Sequence, residues 1–137
     1  MRHFFALMIF VMLTGFSACQ RSDSTRFFHE DFPRDSESAA KMRSFHLKYV
    51  LKDVLIESGS VNGAVKQLNE AAARSPQNGA TAGSFVVGGD IHKPITIKAR
   101  RANVLWVVDQ ICGQAGCRFV VDKYAIAINC ERLNKDR

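Results

Sequence analysis

Residues 102–130 read ANVLWVVDQICGQAGCRFVVDKYAIAINC, and the shape of this stretch decides the fold. Asn103 is a helix cap: its side-chain oxygen accepts a backbone N–H that the first turn leaves unpaired. Val104, Val107, Val108 and Ile111 then recur at the helical period and predict one apolar stripe. Gly113 and Gly116 stop the helix. CRFVV (117–121) and YAIAINC (124–130) alternate in polarity on either side of Asp122-Lys123 and read as a hairpin. Trp106, the only tryptophan, falls on the far side of the stripe near Gln110. An aromatic there is either covered by a neighbouring segment or a partner contact, and Trp106 and Gln110 are the candidates for such a contact.

Upstream, ITIKAR (95–100) places Ile95, Ile97 and Ala99 on one face and Thr96, Lys98 and Arg100 on the other. SFVV (84–87) is a short strand, and PQNGATAG (76–83) before it is a loop. Ser60 caps an earlier helix through Val61, Ala64, Val65, Leu68 and Ala72, which ends near Arg74 because Pro76 follows. FHLKYVLKDVLIE (45–57), rich in Val, Leu and Tyr, reads as the first strand. The predicted order is β-α-β-β-α-β-β. SVNGAVKQL (60–68) and NVLWVVDQI (103–111) also match as cap, Val, two variable residues, then a small or Val, Val, polar, Gln and aliphatic residue. Two similar strand–helix units predict an α+β two-layer sandwich, with both helices on one face of a small sheet.

This pattern resembles the short N-terminal domain of secretins and TonB-dependent proteins. Ile95 and Ile97 fill the strand, Asn103-Val104 opens the helix, Ala115-Gly116-Cys117 stands at the small-Gly-Leu position, Phe119 is the aromatic, and Tyr124 to Ile128 closes the sheet. Leu47 to Ala72 fits the first strand and helix, so the resemblance spans residues 45–131. It implies a non-catalytic module that docks partner proteins or builds the first periplasmic ring of a secretion channel. No secretin pore segment is present in this chain, so the expectation is an accessory to a secretion or transport system.

The N-terminus supplies the address. Arg2 precedes an apolar run from Phe4 to Leu13, too short to span a bilayer as a helix, and small residues lead to Cys19. This is the layout of a signal peptide over 1–18. LTGFSAC (13–19) resembles the lipobox of bacterial lipoproteins, with Phe16 where that family has an aliphatic residue. The resemblance implies lipidation of Cys19 and anchoring to a membrane facing the periplasm. Gln20 rather than Asp after the cysteine implies the outer membrane. Residues 19–44 are polar and low in aliphatics and predict a flexible tether, and 132–137 a polar tail. Within the tether, FFHEDF (27–32) docks either on its own domain or on a partner. His29, Glu30 and Asp31 form no metal site by sequence, because no second cluster at ligand spacing exists.

Composition narrows the functions. The formal charge of +6 loses one unit with Arg2. An exported basic chain points to anionic polymer, lipid or acidic protein faces rather than nucleic acid. Lys93, Lys98, Arg100 and Arg101 are the candidates for such anionic contacts, and a solvated face is the plainer reading. RNA-binding domains share the β-α-β-β-α-β order but need exposed aromatics on central strands. No nucleophile elbow, phosphate loop or spaced carboxylate pair is present in the sequence, so neither an enzyme nor a cofactor is expected. Cys112, Cys117 and Cys130 read as core positions with one disulfide, Cys112–Cys117 or alternatively Cys117–Cys130. A thiol-redox pair is the remaining reading. It needs two residues between the cysteines at a helix N-terminus, whereas four intervene here at a helix C-terminus.

Overall fold

In chain order the elements are α1 (Glu37–Lys48), β1 (Val50–Ser58), α2 (Val61–Arg74), β2 (Ser84–Gly88), β3 (Ile95–Asn103), α3 (Val104–Ala115), β4 (Arg118–Val121) and β5 (Ala125–Asn129). They come from a computed structural model that describes residues 27–31, 37–76 and 84–130. The predicted signal peptide, Cys19, residues 77–83 and the predicted polar tail lie outside the described residues.

The class is α+β, and from β1 onward the order is the one the sequence predicts. Both caps form: Ser60 Oγ accepts from Gly63 N–H at 3.1 Å, and Asn103 Oδ1 accepts from Trp106 N–H at 2.7 Å. Gly116 ends α3 in the left-handed region (φ 76°), with its N–H on Cys112 O. Gly113 lies one turn inside the helix rather than at its end.

Two features correct the sequence reading. The first is α1. Residues 37–44 are helix, not tether, and the first strand starts at Val50, not Phe45. Glu37 and Lys41 pair at 2.6 Å across one turn, and Glu37 at the start with His46 and Lys48 at the end suit the helix dipole. Ala39, Met42 and His46 share a helical face, and that face packs inward. Burial of this face outweighs the strand preference of Phe45 and its neighbours.

The second is the sheet, which is two sheets. β1 pairs antiparallel with β3, from Val50↔Asn103 to Ser58↔Ile95. The other sheet has the order β2-β5-β4, with β2 parallel and β4 antiparallel to β5. Helix α2 touches β1 of one sheet and β2 of the other, and α3 touches β3 and β4. The helices therefore serve both sheets at once. The reason lies in α3: Leu105, Asp109 and Cys112 are buried as well as the Val104–Ile111 stripe. A helix that is apolar on most of its circumference needs cover on more than one side.

Strand β1 changes face midway. Leu51 is buried, then Val54 and Ile56, so the alternation shifts at Asp53, whose φ of 50° is left-handed. Aspartate tolerates that region better than most residues. The opposite strand answers with two successive exposed residues, Arg100 and Arg101.

Tyr49 ties the layers together. Its buried hydroxyl shares a proton between Ser75 O (2.7 Å) and Ala72 O (3.1 Å) at the end of α2. Its carbonyl accepts Val104 N–H at the start of α3. His46 is fully buried between Phe45 and the β2 residue Phe85. Burial lowers its pKa, against the opposing hydrogen bond to Met42 O.

Candidate functional site

The edges of the two sheets decide what this surface can bind. An uncovered edge strand offers a row of backbone N–H and C=O groups to any extended segment. Three edges here are clasped, each at one point. On β1, the Gln67 side chain accepts from Glu57 N–H (2.9 Å) and donates to Glu57 O (2.8 Å). On β3, Gln114 does the same at Thr96, at 2.9 Å each. The sequence repeat aligns Gln67 with Gln110, but the structural counterpart of Gln67 is Gln114.

The third clasped edge is β4, and its clasp is residues 27–31. Phe119 N–H donates to His29 O (3.0 Å), and Asp31 N–H donates to Phe119 O (2.8 Å). Residues 29–31 thus make a single parallel β-bridge to β4, Glu30 opposite Phe119. Phe27 stacks on Phe119 with ring centroids 6.5 Å apart. Glu30 is ion-paired to Arg43 of α1. His29 donates its backbone N–H (2.9 Å) and Nδ1 (3.1 Å) to Oδ1 of Asp109, which is only 5% exposed. The ring needs the space that Gly113 leaves, since a Cβ there would stand 2.8 Å from His29 Cε1. Residues 27–31 are therefore a strap belonging to the domain rather than part of a free tether. Sequence reading missed Asp109, although it is the only acid in α3; its partner lies 80 residues upstream.

Among the described residues, β2 alone has an edge with neither a strand nor a side-chain clasp on it. Beside it runs a groove of about 580 Å³ between α2 and β2. Val65, Ala73, Phe85 and Val87 give it an apolar floor, while Lys66 and Glu70 stand on its rim.

Trp106 is half-buried against the core, between the covered and the exposed placement that the sequence leaves open, and Gln110 is half-buried too. Helix α1 packs on α3. Lys98, Arg100 and Arg101 are exposed on β3, with Lys52 exposed across the pair, and Lys93 lies in the loop before the strand. Lys98 and Arg100 line a shallow depression of about 370 Å³ with Asp53 and Leu55.

The disulfide joins Cys117 to Cys130, across the open end of the β4–β5 hairpin, with the Cα atoms 4.7 Å apart. This corrects the Cys112–Cys117 pairing. Cys112 faces the core as a buried thiol, while Cys117 and Cys130 sit at the β4 start and β5 end, where antiparallel neighbours bring Cα atoms close. Burial first, then the Asp109 and Asp31 carboxylates, push the Cys112 thiol up to about 12, with Arg118 opposing. The thiolate is the reactive form. Cys112 is therefore expected to resist iodoacetamide at pH 8 while folded and to react readily in denaturant without reductant. Rapid labelling of the native protein would contradict this and revive a thiol-redox role.

The chain matches no family model, and neither a characterised protein nor a solved structure matches it.

Proposed function

We propose that this chain is a non-catalytic envelope lipoprotein, anchored through Cys19 to a periplasm-facing membrane, whose small domain binds another envelope protein. The observation that carries the reading is the one edge, among the described residues, without a strand or clasp on it. Glutamine clasps and the strap occupy the edges of β1, β3 and β4, and β2 is left beside an apolar groove. An edge strand next to a helix receives an extended segment: backbone bonds give affinity, and pockets select side chains. The strand order adds a second support. The strap, which leads back toward Cys19, lies on β4, and the groove lies on β2 at the opposite edge of the same sheet. The order from β1 to β5 is also that of the resemblance to the secretin and TonB short N-terminal domain. The partner is an accessory or component of a secretion or transport system on this reading.

Ala73 is exposed in the groove and gives the test. Ala73→Arg fills the groove with a good helix former and should leave the melting temperature nearly unchanged. Partner recovery with the tagged full-length protein should fall sharply. Equal recovery from wild type and variant would remove the groove as the binding surface.

A second reading rests on the exposed cations Lys52, Lys98, Arg100 and Arg101 of the β1–β3 pair. They suit anionic cell-wall polymer or lipid. Retention on cell-wall fragments that salt abolishes, and that Lys98→Glu weakens, would favour it over the groove.

A further inference from the structure

Phe28 is 90% exposed, the most exposed large apolar side chain among the described residues. Its exposure is imposed by the strap. Residues 27–30 form a turn, closed by Glu30 N–H on Phe27 O at 3.2 Å, with Phe28 at its outer corner. Phe27 is committed to Phe119 and His29 to Asp109, so Phe28 must point away from the domain. The backbone is pinned at this residue as well, since Arg118 Nη1 donates to Phe28 O at 3.1 Å. Arg118 is itself exposed, so a solvent-facing guanidinium stands at the Phe28 carbonyl.

The distance to the anchor limits what Phe28 can face. A tether running to residue 44 would let the domain roam far from the membrane. The strap catches the chain at Phe27, eight residues after Cys19. Eight extended residues span at most about 29 Å. A domain of about 100 residues has a radius of gyration near 13 Å, so a leash this short holds it against the bilayer. The side of the domain nearest the leash carries Phe28 and Arg118.

From these observations we infer that Phe28 and Arg118 form a membrane-contact point, with the Phe28 ring in the headgroup–acyl boundary and Arg118 on lipid phosphate. The occupant is the lipid surface to which Cys19 is attached. An aromatic with a neighbouring cation suits that boundary, where apolar and charged groups are both satisfied. The inference rests on the lipoprotein reading of Cys19. It adds an orientation: the strap edge of the sheet faces lipid, and the β2 groove faces away from it.

The test uses the full lipidated chain in vesicles, with Phe28→Trp and Trp106→Phe leaving one tryptophan. Lipids brominated near the headgroup should quench its emission, and the emission should lie to the blue of the same protein in detergent-free buffer after denaturation. Flotation with the vesicles is read on the same sample. Flotation with quenching supports the inference. Flotation without quenching overturns it and leaves the anchor standing. Failure to float overturns the anchor and the inference together. If Trp106→Phe lowers stability, the single Phe28→Trp variant gives the same answer after subtraction of the wild-type emission, because Phe28 itself touches nothing in the core.

Discussion

Replacing both Cys117 and Cys130 with alanine is expected to cost about 3 kcal/mol of stability. The bridge closes a loop of 13 residues' separation. Cross-linking a loop of that size removes conformational freedom from the unfolded chain worth about 3 kcal/mol. The loop is the β4–β5 hairpin, whose turn is closed by Asp122 N–H on Ala125 O at 2.9 Å. The strands find their register without the bridge, so the fold should survive and melt earlier. For a domain of this size the shift is about 12–24 °C. The double variant avoids a new free thiol beside Cys112. Thermal melts of oxidised wild type and the variant decide it. A shift of only a degree or two would mean that the bridge constrains nothing the hairpin does not already fix.

The second large effect is expected at Asp109. Asp109→Ala removes the acceptor of two hydrogen bonds from His29 and should cost about 2–3 kcal/mol, the usual worth of buried hydrogen bonds to a charged group. The loss should be local. Amide exchange should quicken at Asp31 and Phe119, whose N–H groups hold the strap to β4, while β1 and α2 keep their protection. His29→Ala in the Asp109→Ala background should add little, because the two residues act as one contact. Fully additive losses would mean that His29 and Asp109 stabilise the domain separately and that the strap is held by other groups.

Elements with local signals were legible in the sequence. Ser60 and Asn103 announce their helices because a cap is decided within three residues. The β4–β5 alternation puts Ile126, Ile128 and Cys130 on one buried face, as their spacing says. Three other features depend on distant partners. ESAAKMRS is polar enough to pass for a tether and FHLK for the start of a strand, and the buried face of this helix is visible only once His46 meets Phe85. LKDVLIE reads as a strand by its composition, but only the left-handed Asp53 shows that its buried face shifts midway. Asp109 looks like an ordinary helix acid until the strap arrives from the far end of the chain. The same holds for the binding surface. Gln67 and Gln114 are unremarkable in sequence, and only the register shows that each clasps a sheet edge, while β2 carries no such clasp among the described residues.

The proposed membrane anchoring depends on Cys19 above all. Its most direct test is the intact mass and N-terminal sequence of the protein extracted from membranes. The account predicts a mature chain that begins at Cys19, with a diacylglyceryl thioether on its sulfur and an acylated or free amine. A mature chain that begins elsewhere, or at Cys19 with an unmodified thiol, would contradict it.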